Sequence, residues 1–196
     1  SLGGELGAAV ATAAEGATPL ASSPVAARFQ RVDLPLMPPP STARAAWERA
    51  WRTFKMVIDS RGDEWARRVP QAQLEWSRAW LETARDPQAI STQPFEIQGL
   101  RVGGLTWLGM EGEIFVRYQL DLEAASQEPV VICGYANGCI GYVPTQDEYE
   151  RGGYEVEMAY KVYPSVRMIA PQSDALIRRT ARELLRALWE GETSAR

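Results

Sequence analysis

The chain contains no histidine. That absence excludes, within these 196 residues, any nucleophile–histidine relay and any histidine-rich zinc site. Chemistry done by these residues alone falls to carboxylates, tyrosines, lysines or cysteines. Cysteine is scarce as well. Cys133 and Cys139 are the only two, spaced CxxxxxC rather than CxxC, and cannot make a disulfide scaffold. Cys133 closes the apolar run PVVIC and reads as a buried thiol, while Cys139 falls in a glycine-rich loop. A bond between them and two free thiols both fit the spacing. No apolar run approaches the ~20 residues of a membrane-spanning helix. No basic stripe appears, and a net charge of −4 argues against a nucleic-acid partner. The opening residues, SLGGELGAAVATAAEG, lack the basic start and long apolar core of a signal peptide, and lack an initiating Met. They read as an amphipathic helix entered in mid-course, so the chain is expected to be a piece of a longer protein.

What is present is ordinary globular material. Apolar residues make up 45% and charged residues 23%, enough for one or two domains with a sizeable core. Leu2, Leu6, Val10 and Ala13 recur at helical steps over residues 2–15. Arg28 to Leu34 alternates as a strand does. The prolines of Pro35 to Thr42 then break regular structure, and Ser41 or Thr42 can cap the next helix. Residues 41–86 read as a helical hairpin with a Trp47, Trp51, Phe54, Ile58 stripe and a second stripe of Trp76 and Trp80. Breaks are expected at Arg61-Gly62 and Pro70. Tryptophans at this spacing pack onto a core; the other reading lets Trp76 or Trp80 touch an acyl chain or a membrane surface.

From Pro94 the texture changes. FEIQGLRVGGLTWLGM alternates and turns at its glycines, as a hairpin would. Ile114, Phe115, Tyr118 and Leu122 suit a helix, which puts Glu111 and Glu113 at a strand-to-helix corner. PVVIC reads as a buried strand, DEYERGG as a short helix stopped by Gly152-Gly153, and YEVEMAYKVY as a strand. The last helix is capped by Ser173. Strands alternating with helices, plus a hairpin, make a mixed α/β fold with helices flanking a mixed sheet.

The segment Gly134 to Glu155 places five glycines and four tyrosines in 22 residues. Two corners that follow apolar strands, one with Glu113 and one with Tyr142, lie where α/β folds tend to build sites. Spacing alone leaves two readings. Glu113 caps a helix and Tyr142 packs beneath the loop, or both are oxygen ligands for a metal such as zinc. A glycosidase using Glu111 and Glu113 as paired carboxylates fails, because residues two apart at a helix start do not straddle one bond.

These segments resemble the neutral/alkaline, non-lysosomal ceramidase family. The matching motifs are Gly112-Glu113, Asn137-Gly138 through Gly141-Tyr142-Val143-Pro144-Thr145, Glu148-Tyr149 and Tyr154-Glu155. The resemblance runs roughly from Leu2 to Leu188 and is carried by Leu108 to Glu155. Where members often read Gly-Glu-Phe-Thr-Thr, this chain reads Gly112-Glu113-Ile114-Phe115-Val116, two hydroxyls fewer.

The resemblance implies a zinc-dependent amidohydrolase that cleaves the N-acyl amide bond of ceramide or a related N-acyl lipid. It implies Glu113 and Tyr142 as zinc ligands and Tyr154 as a catalytic tyrosine beside the scissile amide. Two histidine ligands and a substrate-contacting serine are expected from a missing amino-terminal half of the same protein. Residues 1–196 would then be the carboxyl-terminal portion of the catalytic domain, with 93–191 as its metal-binding half. Such a chain is expected to be inactive alone. No substrate-binding residue is assigned, and the resemblance admits a secreted, periplasmic or membrane-associated location. The competing reading is a non-catalytic homologue that keeps the fold without the chemistry.

Overall fold

The computed structural model describes residues 1–19, 25–37, 64–83, 91–163 and 167–190, with isolated positions between 48 and 60. Its elements begin with helix α1 (Leu2–Glu15), strand β1 (Ala26–Pro35), helix α2 (Glu64–Thr83), and strands β2 (Thr92–Val102) and β3 (Leu105–Met110). Next come strand β4 (Glu113–Ile114), helix α3 (Val116–Ala125), and strands β5 (Val130–Cys133) and β6 (Tyr142–Val143). Two one-turn helices come after them, α4 (Glu148–Arg151) and α5 (Tyr154–Glu157), then a 3₁₀ turn (Ala159–Val162) and helix α6 (Ser173–Glu190).

The main sheet runs β1-β2-β3-β5. The first three strands are antiparallel, with a β2–β3 hairpin turning at Gly103-Gly104, and β5 joins β3 in parallel. A parallel pair needs a crossover, and α3 supplies it. The fold is therefore mixed α/β, as the sequence predicts.

Register sorts the side chains. Ala26, Arg101, Thr106 and Val130 share a row on the inner face, where α6 packs. The next row, Ala27, Leu100, Trp107 and Val131, lies on the opposite face, and Leu100 and Val131 remain exposed there. The core lies between the inner face and the two helices: Leu34, Phe95, Ile97, Leu108 and Met110 meet Tyr118 and Leu122 of α3 and Ile177, Leu184 and Leu188 of α6. Asp121 on α3 joins the helices by accepting from Arg178 Nη1 at 2.7 Å.

Several expectations change. Pro70 does not break the chain; it sits inside α2, which runs on to Thr83. Its ring removes one intrahelical donor, yet the buried Trp76 and Trp80 hold the later turns, with Trp76 edge-on to Tyr160 at 5.6 Å. Those two tryptophans are core residues, not a lipid-facing patch. The other stripe (Trp47, Trp51, Phe54 and Ile58), the first arm of the 41–86 hairpin, the Arg61-Gly62 break and the Ser41 or Thr42 cap lie outside the described residues.

Residues 154–163 are helical turns, not a strand. Glu157 N donates to Gly153 O and Met158 N to Tyr154 O, both at 2.9 Å, so local bonds satisfy the backbone that the alternating pattern assigns to a ladder. PVVIC is a strand but not a buried one. Only Val130 is buried, and Cys133 is an exposed free thiol like Cys139. β5 ends the sheet order, and its outward side chains have no covering layer among the described residues. Ser173 opens α6, but its hydroxyl donates to Pro35 O at 3.4 Å instead of capping the helix.

Candidate functional site

The site grows from the parallel pairing of β3 and β5. Neighbouring parallel strands deliver their outgoing loops to the same end of a sheet. Cys133, the end of β5, pairs with Gly109, one residue before β3 ends at Met110, so the Glu111–Glu113 corner and the Gly134–Gly141 loop meet. Tyr135 N donates to Gly112 O at 2.9 Å, and Ala136 N donates to Met110 O at 3.0 Å. The second, two-residue sheet fastens the meeting: Glu113 and Tyr142 are direct partners in the parallel β4–β6 pair.

The backbone here is tightly constrained. Gly141 has φ +94 and its carbonyl accepts from Glu113 N at 2.8 Å. A Cβ on Gly112, whose φ is +154, would come within 2.6 Å of that same carbonyl oxygen. Two non-glycine residues, Tyr135 and Asn137, are held at φ 57 and 66, conformations that concentrate at functional loops. Beyond β6 the chain is fixed to the core: Tyr118 Oη donates to Pro144 O at 3.1 Å, and Gln146 N to Asp174 Oδ2 at 3.0 Å.

Glu113 is the centre of a ring of phenols. Its carboxylate accepts from the hydroxyl of Tyr163, and the phenols of Tyr135 and Tyr142 stand beside it closely enough to influence its charge. Partial burial raises its pKa, but the three phenols together outweigh burial and hold it below the usual value. The donors respond in the opposite sense. Hydrogen bonding to Glu113, then burial and the carboxylate charge, push Tyr135 and Tyr142 up to about 12 and raise Tyr163 as well. Tyr154 reaches the cluster through its ring, which stands edge-on to Tyr142 at 6.2 Å. Phe115 flanks Tyr142 at 6.3 Å, and Tyr154 stays 59% exposed. Chemically, this is one ionised carboxylate with several phenols beside it, of which Tyr135 and Tyr154 are open to solvent.

The three residues singled out in the sequence, Glu113, Tyr142 and Tyr154, thus come together. Glu113 belongs to β4, not to a helix start, since α3 begins at Val116. Glu111 does not join them. Its Oε2 accepts from Glu96 N at 3.0 Å, and its side chain lies against Gly138. Sequence reasoning does not find Tyr135 or Tyr163. Tyr135 belongs to the glycine–tyrosine segment, so the local richness in phenols is a signal for it. Tyr163 ends the stretch 154–163, whose residues alternate like a strand, and nothing in its neighbours marks it.

Among the described residues, no group of three or more His, Cys, Asp or Glu converges to hold a metal, and no helix is long and apolar enough to cross a membrane. As a donor set, Glu113 and Tyr142 fit part of a zinc site. They offer an ionised carboxylate oxygen and a phenol oxygen from paired backbone positions.

No protein-family model and no curated protein sequence matches the chain. Solved structures do. The crystal structure of neutral ceramidase from Pseudomonas aeruginosa superposes with TM-score 0.51 at 21% identity, over 91% of this chain and 30% of its own. The fold is that of part of a neutral ceramidase. A ceramidase complexed with C2 is 27% identical over 54% of this chain and 17% of its own, at TM-score 0.38. The chain therefore spans about 30% of the length of the Pseudomonas ceramidase. Within this ceramidase-like fold, the phenol ring lies at the end of the sheet where β3 and β5 release their loops.

Proposed function

We propose that this chain is the carboxyl-terminal portion of the catalytic domain of a zinc-dependent amidohydrolase, cleaving the N-acyl amide bond of ceramide or a related N-acyl lipid. The observation that carries the reading is the direct pairing of Glu113 with Tyr142, beside Tyr154, in a ceramidase-like fold. Glu113 and Tyr142 would hold part of the metal's coordination, and two histidines from polypeptide outside this chain would complete it. A zinc ion, when bound, supplies the Lewis acidity that polarises the amide and acidifies water.

The chain's own residues have distinct tasks. Glu113, kept ionised by its phenol partners, provides a negative oxygen at the centre of the site. Tyr142 provides a second oxygen, fixed by the β4–β6 register. Tyr154 is exposed enough to meet a substrate, and its hydroxyl can donate to the oxyanion that develops as the amide carbonyl is attacked. Two oxygen donors fall short of the three protein ligands that catalytic zinc generally needs. The chain alone therefore retains little zinc and hydrolyses nothing.

The test uses three variants of the full-length protein. Glu113→Gln should lose both zinc and amidase activity. Tyr142→Phe should lose zinc more than rate at saturating metal. Tyr154→Phe should keep its zinc and lose rate by about 10²-fold or more, the cost of one oxyanion donor. Wild-type zinc and wild-type turnover in Glu113→Gln would overturn the proposal, and zinc binding without turnover on any N-acyl amide would favour a non-catalytic homologue.

A further inference from the structure

Tyr163 and Tyr135 are the two phenols of the cluster that the proposed chemistry leaves without a task, and Tyr163 is the one hydrogen-bonded to Glu113. It lies outside the motif segments, yet it touches the site twice. Its hydroxyl donates to Glu113 Oε1, and its ring lies against Gly141, where a Cβ would come within 3.1 Å of Tyr163 Cγ and Cδ2. Gly141 is the residue whose carbonyl accepts from Glu113 N at 2.8 Å, next to Tyr142 in sequence. One side chain therefore bears on both the carboxylate and the backbone that sets the Glu113–Tyr142 register. Its own position is fixed by the preceding 3₁₀ turn, since Tyr163 N donates to Tyr160 O at 3.3 Å.

From this geometry we infer that Tyr163 is a positioning residue for the metal-binding carboxylate, holding Glu113 in one rotamer before any ion arrives. The inference rests on the metal-site reading proposed above. Tyr163 donates to Glu113, and Tyr135 and Tyr142 also stand beside the carboxylate, but the three phenols are not equivalent. Tyr142 is itself assigned to the metal, so its oxygen is committed elsewhere. Tyr135 is 61% exposed and held in a left-handed loop conformation. Tyr163 has a packed ring, a fixed backbone and no second task, so its hydrogen bond can persist with the metal in place. A partner that orients a ligand acts chiefly on affinity: losing one typically costs about 10- to 100-fold.

The experiment measures zinc affinity by chelator competition on the full-length protein, with the unfolding midpoint of the metal-free form as a second readout. The variants are Tyr163→Phe, which keeps the ring on Gly141, Tyr160→Phe as a neighbouring control, and Glu113→Gln. Tyr163→Phe is expected to weaken zinc binding about 10- to 100-fold, with the metal-free midpoint little changed and turnover restored by excess zinc. Tyr160→Phe is expected to bind zinc as the wild type does. Wild-type zinc affinity in Tyr163→Phe, while Glu113→Gln loses its zinc, would overturn the role of Tyr163 alone. An equal loss of affinity in Tyr160→Phe would also overturn it, as a general packing effect. Zinc retained by Glu113→Gln would remove the site reading and this inference with it.

Discussion

Gly112→Ala tests how the two corners of the site are pressed together. At Gly112 the backbone has φ +154, and an added Cβ would lie 2.6 Å from Gly141 O and 3.0 Å from Val143 Cγ2. The first obstacle is a backbone carbonyl, which cannot swing aside as a side-chain tip can. That carbonyl also accepts from Glu113 N at 2.8 Å, so moving it opens the β4–β6 pair. Two terms add: an unfavourable backbone conformation costs about 1–3 kcal/mol, and a lost hydrogen bond costs about 0.5–1.5 kcal/mol. The expected destabilisation is about 1.5–4.5 kcal/mol. With a urea slope near 2 kcal/mol/M, the midpoint should fall by about 1–2 M. Gly104→Ala is the control, because nothing lies within 4 Å of a Cβ there. Its midpoint should hold or rise slightly, since alanine restricts the unfolded chain. Equal midpoints for Gly112→Ala and Gly104→Ala would refute the reasoning.

Other consequences can be checked independently. Leu188 is buried on α6, and a Cβ on Gly99 of β2 would come within 2.4 Å of its Cδ1, so helix and sheet touch there without slack. Leu188→Ala should cost about 2–5 kcal/mol in chemical denaturation, and a loss below about 1 kcal/mol would show that the contact collapses freely. At Asp121 partial burial raises the pKa, but Arg117 and Arg178 outweigh it and hold the carboxyl below its usual value. A depressed carboxylate contributes stability above its unfolded pKa of about 3.9 and loses it as pH falls through the folded value. The stability gap between wild type and Asp121→Asn should therefore close on acidification below about pH 4 and narrow with added salt; a gap that widens in acid would reverse the argument. Cys133 and Cys139 are both exposed free thiols, so a thiol reagent should label two cysteines without denaturant. Labelling that waits for unfolding would contradict their placement.

Much of the fold can be read along the chain because its causes are local. Alternation across the Gly103-Gly104 hairpin reflects strands with one face on a core, and both form; the strand read over Arg28 to Leu34 forms too, although only Leu34 of that stretch is buried. The 3.6-residue repeat of Ile177, Ala181, Leu184 and Leu188 does the same for α6. The glycine–tyrosine segment marks the Tyr142 corner because sharp turns need glycine and nearby phenols need a reason to gather. Local pattern fails where neighbours decide. Residues 154–163 alternate like a strand, but no strand among the described residues pairs with them, and the backbone closes its hydrogen bonds within single turns. Cys133 ends an apolar run that looks buried, yet burial requires a covering layer, and that is a property of the sheet order. Pro70 reads as a stop, whereas the buried tryptophans beyond it keep the helix in place. The sequence by itself determined most of the element types, the missing histidines and the two corners that hold Glu113 and Tyr142. Only the tertiary structure decided that they face each other and that Tyr163, fifty residues from Glu113, closes the ring. Parallel pairing of β3 and β5 brings distant loops to one end of the sheet, and no spacing along the chain encodes that meeting.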